Sequence, residues 1–277
     1  MSTVAVFGAG PIGSAIAHRL AERNRVDDVL LVDDNPRIAE GKALDIQQSG
    51  PIARSDTTLR GAADPLAAAG ATVIVLADDT VSGAWDGERG LALVARLTRA
   101  GTAAPFVFAA PSQLPLIEAA ARELHVAHDR LVGTAASAIE PIVRSLVNIE
   151  LGETGATVSV TGRPPSFIVA WSAATIGGGL VTERVPAHRL LAISQSLARF
   201  WPPGSQAIAA PTARVVEALI AGSRHLLPAV TMLDGEFGVR DRAGLIPLEL
   251  GLGRVLRRAA PALSPQERTE TVSSLMR

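Results

Sequence analysis

Three glycines constrain this chain before anything else does. Gly8, Gly10 and Gly13 follow the apolar run Val4-Ala5-Val6-Phe7 and open a segment whose apolar residues Ile16 and Leu20 recur at helical spacing. Asp33 stands twenty residues beyond Gly13, at the end of the next apolar run, Val29-Leu30-Leu31-Val32. A strand, a glycine turn, a helix and an acid closing the second strand form the layout of a βαβ step that holds a dinucleotide. Each part has a physical task. Gly8 permits the tight turn, Gly10 lets the backbone approach a pyrophosphate, and Gly13 lets the helix pack close to the strand. Amide N–H groups at the helix start then face the phosphates with the positive end of the helix dipole. The Asp33 carboxylate accepts hydrogen bonds from ribose hydroxyls and repels a 2′-phosphate, which favours NAD over NADP. Asp34 strengthens that repulsion, because no basic residue lies beside it before Arg37. The same three glycines also suit a strand-turn-helix in which they serve packing alone.

The first half continues in the same alternation. A helix is expected over Pro36–Gln48, strands over Ala71–Ala77 and Pro105–Ala109, helices over Gly87–Arg99 and Leu114–Leu124, and a further strand at Arg130-Leu131-Val132-Gly133. Apolar runs without polar alternation, separated by helices, predict a parallel sheet covered on both faces. From about Leu151 the texture changes. Ala156–Thr161 and Phe167–Trp171 read as strands, Pro186–Trp201 and Thr212–Ala221 as helices, and Leu226–Leu233 as a strand of a smaller antiparallel layer. Pro164-Pro165 and Pro202-Pro203 punctuate this half. A last helix after Pro265 has the capping-box pair Ser264 and Glu267.

Composition removes several kinds of chemistry. The 277 residues contain no cysteine, so disulfides, thiolate nucleophiles and Cys-ligated zinc are excluded, and no metal site is expected. With 26 basic and 27 acidic residues the net charge is −1, which offers no dense basic face to nucleic acid or an anionic membrane. Met1-Ser2-Thr3 leads directly into a strand, and the apolar stretch from Phe167 to Val181 is interrupted by Ser172 and Gly177-Gly178-Gly179. Neither pattern suits a secretory signal or a membrane span, so a soluble, cytoplasmic protein is expected.

Gly8-Ala9-Gly10-Pro11-Ile12-Gly13, Leu30-Leu31-Val32-Asp33 and Gly41-Lys42-Ala43-Leu44-Asp45 together resemble the opening of the lactate/malate dehydrogenase family. The resemblance continues through Arg130–Thr134, Trp171-Ser172 with Gly177-Gly178, Pro247–Gly251 and Leu263–Glu267, over nearly the whole chain, which is somewhat short for the family. It implies an α/β fold: a Rossmann-type doubly wound parallel sheet, the NAD-binding domain over residues 1–145, followed by an α+β substrate domain over 146–277. It further implies NAD as cofactor, a small-molecule substrate, and a homodimer or homotetramer. Cofactor contacts are expected from Gly8, Gly10, Pro11, Ile12, Gly13, Asp33, Asp34, Ala77 and Ala109.

The chemistry that the resemblance implies is reduction of a 2-oxo acid. A His gives the proton, an Asp orients it, one Arg clamps the carboxylate, a loop Arg polarises the carbonyl and an Asn positions the substrate. At the matching positions this chain has Arg163 for the His, Ile139 for the Asp, Ile142 for the clamping Arg and Ala110 for the Asn; Ser82 and Glu88 stand at the loop arginine positions, with Arg89 displaced by one. Two isoleucines in place of Asp and Arg make that wall apolar and remove a bidentate carboxylate clamp. Pro141 fits a helix start better than a helix interior. The expected pocket is Ser137, Ile139, Ile142, Arg163 and Thr212. Arg163 suits an anionic substrate group as a permanent cation but not proton donation near neutral pH; the plainer reading has it anchored by local carbonyls. Arg144 is read as structural or as an interface contact.

With no Tyr and no Cys, the remaining proton-transfer groups are His18, His125, His128, His188, His225, the sole lysine Lys42 and the carboxylates. The histidines fall in segments away from the expected pocket. Candidates for a replaced chemistry are thus Arg163, Asp78, Asp79 and Arg89. Asp78 and Asp79 stand beside the expected nicotinamide position, where they form a solvated turn, a new acid-base or ligand pair, or a repulsive neighbour of the pyrophosphate. Two functions follow: a divergent NAD-dependent oxidoreductase that does not use lactate or malate, or a catalytically inactive relative serving as an NAD(H) sensor or interacting subunit.

Overall fold

In the computed structural model, which describes residues 2–223 and 225–277, the first apolar runs form the centre of the sheet. Strand β1 (Thr3–Phe7) leads to helix α1 (Pro11–Arg23), β2 (Asp28–Val32), α2 (Pro36–Ala53), β3 (Thr58–Ala62) and β4 (Val73–Leu76). A short hairpin of β5 (Asp78–Asp79) and β6 (Gly83–Ala84) follows, then α3 (Gly87–Arg99), β7 (Phe106–Phe108), α4 (Leu114–Leu124) and β8 (Leu131–Gly133). The six strands outside that hairpin lie in the order β3-β2-β1-β4-β7-β8, all parallel. Val4, Ala5, Val6 and Phe7 are each fully buried, which is why the strand carries no polar alternation. Phe7 and Ile74 pack on one face with Trp85, Leu93 and Ile117, whereas Val4 and Val6 pack on the other with Ile16 and Leu20.

The second half comprises α5 (Ile139–Leu151), β9 (Val160–Arg163), β10 (Ser166–Val169), the two-residue strands β11 (Thr175–Ile176) and β12 (Gly179–Leu180), α6 (Val181–Arg184) and α7 (Ala187–Ser196). Helix α8 (Ser205–Ala221), the long strands β13 (Leu227–Asp234) and β14 (Arg240–Gly251), β15 (Arg254–Arg258) and α9 (Pro265–Leu275) complete it. Helix α8 lies against α1 and the sheet through Ile208, Ala209, Ala213, Val216 and Leu219.

Several expectations need correction. The strand expected in a separate antiparallel layer is present as β13, but Val230 pairs with Gly133, so β13 continues the parallel sheet across its edge. Strand β14 was not anticipated, because Pro247 breaks its pattern and a proline argues against a strand interior. Pro247 is tolerated because its carbonyl faces the Ala259 amide, away from β13, so it and Pro228 opposite form a pair that exchanges no hydrogen bonds and the β13–β14 ladder asks neither for the N–H it lacks. Proline misled at two helices also. Helix α8 begins at Ser205 and runs through Pro211, and α2 continues past Gln48 through Pro51. The helix expected to reach Trp201 ends as α7 at Ser196, and a 3₁₀ turn follows. Of the expected strand Ala156–Thr161 only Val160 and Thr161 fall in β9, while Thr157 makes an isolated bridge to Thr175. Pro141 does sit in the first turn of α5, and Ser264 and Glu267 do cap α9 reciprocally.

Candidate functional site

The turn after β1 is as tight as the glycines require. Gly8 has φ +105°, and a Cβ there would stand 2.1 Å from the Asp78 carbonyl oxygen; one on Gly13 would stand 1.8 Å from the Gly8 carbonyl oxygen. A Cβ on Gly10 would lie 2.7 Å from the Asp78 Cγ. The bare face of Gly10 is therefore turned to the Asp78 side chain.

Every backbone donor of this turn is engaged within the chain. Gly8 donates to the Val32 carbonyl, Gly10 to the Asp78 carbonyl and Ser14 to the Gly10 carbonyl. Ala9 donates to Asp33 Oδ2 at 2.8 Å. Pro11 has no N–H. The two remaining donors at the start of α1, Ile12 and Gly13, both donate to Asp78 Oδ1 at 2.9 Å. These are the amides that a pyrophosphate needs at a helix N-terminus. In this arrangement the backbone shape suits a dinucleotide, but its donors do not fit one while Asp78 holds them.

Asp33 is buried, and besides Ala9 it accepts from the Asn35 amide at 2.9 Å and the Thr80 hydroxyl at 3.2 Å. Asp34 is exposed and forms an ion pair with Arg89 at 2.9 Å, so the expectation of an uncompensated charge there is corrected by a partner far along the chain. The same guanidinium pairs with Asp79 and stacks over the Trp85 ring at 3.6 Å. Burial raises the affinity of Asp79 for its proton, but the Ser82 and Val81 amides and Arg89 outweigh it and hold the carboxyl below the usual range. The solvated-turn reading fails for Asp79, which is buried, and Arg89 is tied to two acids rather than free to polarise a carbonyl. Ala77 and Ala109 are fully buried behind the turn.

The five expected pocket residues do not converge. Ile139 is fully buried. Thr212 Oγ1 bonds Thr134 Oγ1 and the Ile208 carbonyl, each at 2.7 Å. Ser137 is buried in the 3₁₀ turn before α5, its hydroxyl without a partner among the described residues, and borders a cleft shared with Glu140 and Arg144. Ile142 lines a different groove, with Phe200 and Pro211. Arg163 is paired with Glu118 and donates to the Ala243 carbonyl at 3.2 Å. Ser137 belongs to the 3₁₀ turn before α5, and although Ile139 and Ile142 are one helical turn apart, Ile139 is buried in the core while Ile142 lines the outer groove. A small cavity does lie near Ala110, Pro111, Thr134, Pro164 and Trp201, but it encloses only about 20 Å³, room for one water.

His18, His125, His188 and His225 are exposed. His128 Nδ1 is 2.6 Å from Asp234, and Lys42 Nζ is 2.9 Å from the Ser14 hydroxyl. Three residues that organise the region were missed. Gln113 is fully buried, accepts from Ala110 N at 2.8 Å and donates to the Trp85 carbonyl at 2.7 Å. Glu118 borders the buried face of α4, a charge beside Ile117 that could have signalled a paired acid. Glu140 is pushed up to about 7 by burial, which Arg144 and the Val160 amide only partly offset.

Residues 2–84 match the family described as lactate/malate dehydrogenase, NAD binding domain. The chain is 29% identical over 290 residues to the malate dehydrogenase of Thermomicrobium roseum, covering 96% of this chain and 92% of that protein. Against the malate dehydrogenase of Chlorobium phaeobacteroides the identity is 25% over 297 residues, with 95% and 92% covered. Among solved structures, the minor L-lactate dehydrogenase of Enterococcus mundtii superposes with a TM-score of 0.88 at 20% identity over 99% of this chain and 95% of that one. The malate dehydrogenase of Salinibacter ruber gives 0.86 at 22% identity over 98% and 93%.

Proposed function

We propose that this chain is an NAD(H)-binding member of the lactate/malate dehydrogenase family, a family of NAD-dependent oxidoreductases, and that it does not reduce 2-oxo acids. NAD is the cofactor that the family indicates. The observation that carries the reading is Arg163. It stands where the family places its proton donor, and its guanidinium is bound by Glu118 and a backbone carbonyl, so it neither donates a proton nor reaches a substrate. Apolar Ile139 and Ile142 and the one-water cavity beside Ala110 support the same reading, since none can clamp a carboxylate.

Within this reading the protein works as a sensor of, or a subunit responsive to, the dinucleotide. A second reading, an oxidoreductase acting on a different carbonyl, is favoured by the retained glycine geometry and by Asp33. Assembly as a homodimer or homotetramer is part of the proposal, supported by the apolar groove of Ala138, Ile142, Leu146 and Phe200, and sedimentation at micromolar concentration tests it. Function is tested by titrating NADH and NADPH calorimetrically and then following NADH oxidation with pyruvate and with oxaloacetate. Binding that prefers NADH, without turnover of either acid, is expected. Ordinary dehydrogenase turnover of either would sink the proposal.

A further inference from the structure

We infer that Asp78 selects the ligand of the glycine turn: its carboxylate is an internal anion on the two α1 amides that a pyrophosphate requires, so a dinucleotide enters only by displacing it. This rests on the NAD-binding reading above and adds the residue that sets how strongly the site binds and which charge it accepts.

Three independent observations support it. First, the accounting of donors leaves none over. From Gly8 to Ser14 every N–H has a partner within the chain, and the pair that points out along the α1 axis, Ile12 and Gly13, is held by Asp78 alone. Helix α1 has no acid in its own first turn to complement its dipole, so the charge comes from a residue 66 positions away. Second, the carboxylate is seated rather than merely near. The Asp78 Cγ fills the space a Cβ on Gly10 would need, and its own carbonyl accepts the Gly10 amide at 2.8 Å, so backbone and side chain both close on the turn.

Third, Asp78 begins a strap that touches the groove at two further points. Thr80 donates to Asp33, the acid expected on the ribose, and Arg89 pairs with Asp34 beside it. The strap has its own internal fastening. Asp79 Oδ1 accepts the Val81 amide at 2.7 Å, the Trp85 amide donates to the Ala77 carbonyl at 3.1 Å, and Arg89 lies on the Trp85 ring. A bound pyrophosphate would bring two negative charges among Asp33, Asp34, Asp78 and Asp79, with Arg89 and Lys42 as nearby cations. Like charges at such distances repel, and the displaced carboxylate exchanges charge-assisted hydrogen bonds for water. A ligand without phosphate pays none of that penalty, because it leaves Asp78 in place.

The test compares wild type with Asp78→Ala and Asp78→Asn, each titrated with NADH, ADP and adenosine by calorimetry. Amide exchange at Ile12 and Gly13 is followed in the same proteins, which shows that a variant is folded and that its cradle amides are released. The expected result is that both variants bind NADH and ADP more tightly than wild type by about tenfold or more, while adenosine changes by less than about twofold. Equal or weaker NADH binding in folded variants would overturn the role of Asp78 and leave the NAD-binding reading standing. Tightening of adenosine by the same factor would also overturn it, because a generally loosened strap, not charge competition, would then be responsible. Absence of NADH binding in all three proteins would instead overturn the NAD-binding reading on which the inference rests.

Discussion

Arg163 Nη2 lies 3.2 Å from Glu118 Oε2, and the two side chains are 14% and 12% exposed, so this cation is neutralised by a neighbour on another element. Glu118 Oε1, which also accepts from Arg163 Nη1, accepts the Ala243 amide at 3.0 Å. Removing one member of this largely buried pair leaves the other under-compensated, with Arg242 4.0 Å from Glu118 as the remaining cation, and Glu118→Leu or Arg163→Leu alone should cost about 1–3 kcal/mol of stability. The double Leu variant should recover most of that loss. Urea unfolding of the four proteins checks the cycle, and additive losses would show that the two side chains do not act as a pair.

Arg163→His should not produce a dehydrogenase. The position that would hold an orienting acid is the apolar, fully buried Ile139, the neighbouring Glu118 is engaged by the Ala243 amide, and Ile142 offers the substrate no cation. NADH oxidation with pyruvate or oxaloacetate is expected to stay at the uncatalysed rate, and appearance of turnover in this single variant would contradict the proposed function.

Glu140 should make stability fall as pH rises. Its carboxyl is pushed from 4.5 up to about 7 by burial. Below pH 4.5 the folded and unfolded chains both hold the proton. Between 4.5 and 7 the unfolded chain loses it while the folded chain keeps it, so stability is lost progressively; above 7 the loss is complete. Relative to Glu140→Gln, wild type should lose about 3 kcal/mol between pH 4 and pH 8. Urea midpoints of both proteins across that range provide the measurement, and a flat difference would refute it.

Asp33 has a structural as well as a recognition task. Asp33→Ala leaves the Ala9 and Asn35 amides without their acceptor, at a cost of about 1–3 kcal/mol. It should also reduce the preference for NADH over NADPH, since the acid that repels a 2′-phosphate is gone. Thermal unfolding and paired titrations separate the two effects.

The cap of α9 offers a smaller test. Ser264 accepts the Glu267 amide at 3.3 Å, and Glu267 accepts the Ser264 amide at 2.8 Å and the Ser172 amide at 3.0 Å. Burial alone would raise the Glu267 carboxyl, but the Ser172 hydroxyl and amide, with Ser264, hold it low. Ser264→Ala should cost about 1 kcal/mol, and a melting temperature equal to wild type would show the cap to be idle.

The local grammar of this chain was legible from residues alone. A fully apolar run of four reads as a buried parallel strand because no face of it meets water, and β1 proved to be one. Gly8, Gly10 and Gly13 read as a tight turn because only glycine tolerates that closeness, and α3 and α4 begin and end where their periodicity said. Strand β14 was hidden because Pro247 is acceptable only where its backbone groups face away from the neighbouring β13, a register that residue spacing does not reveal. Charge identities were legible too, but their partners were not. Asp78 is 66 positions from Ile12 and 65 from Gly13, Glu118 is 45 from Arg163, and Arg89 is 55 from Asp34. Backbone spacing determines which groups share a turn or a helix face, whereas an ion pair or an occupied helix end depends on which surfaces packing brings within about 3 Å. The sequence therefore determined that this chain builds a nucleotide cradle, and the tertiary structure alone decided that its own carboxylate would fill it.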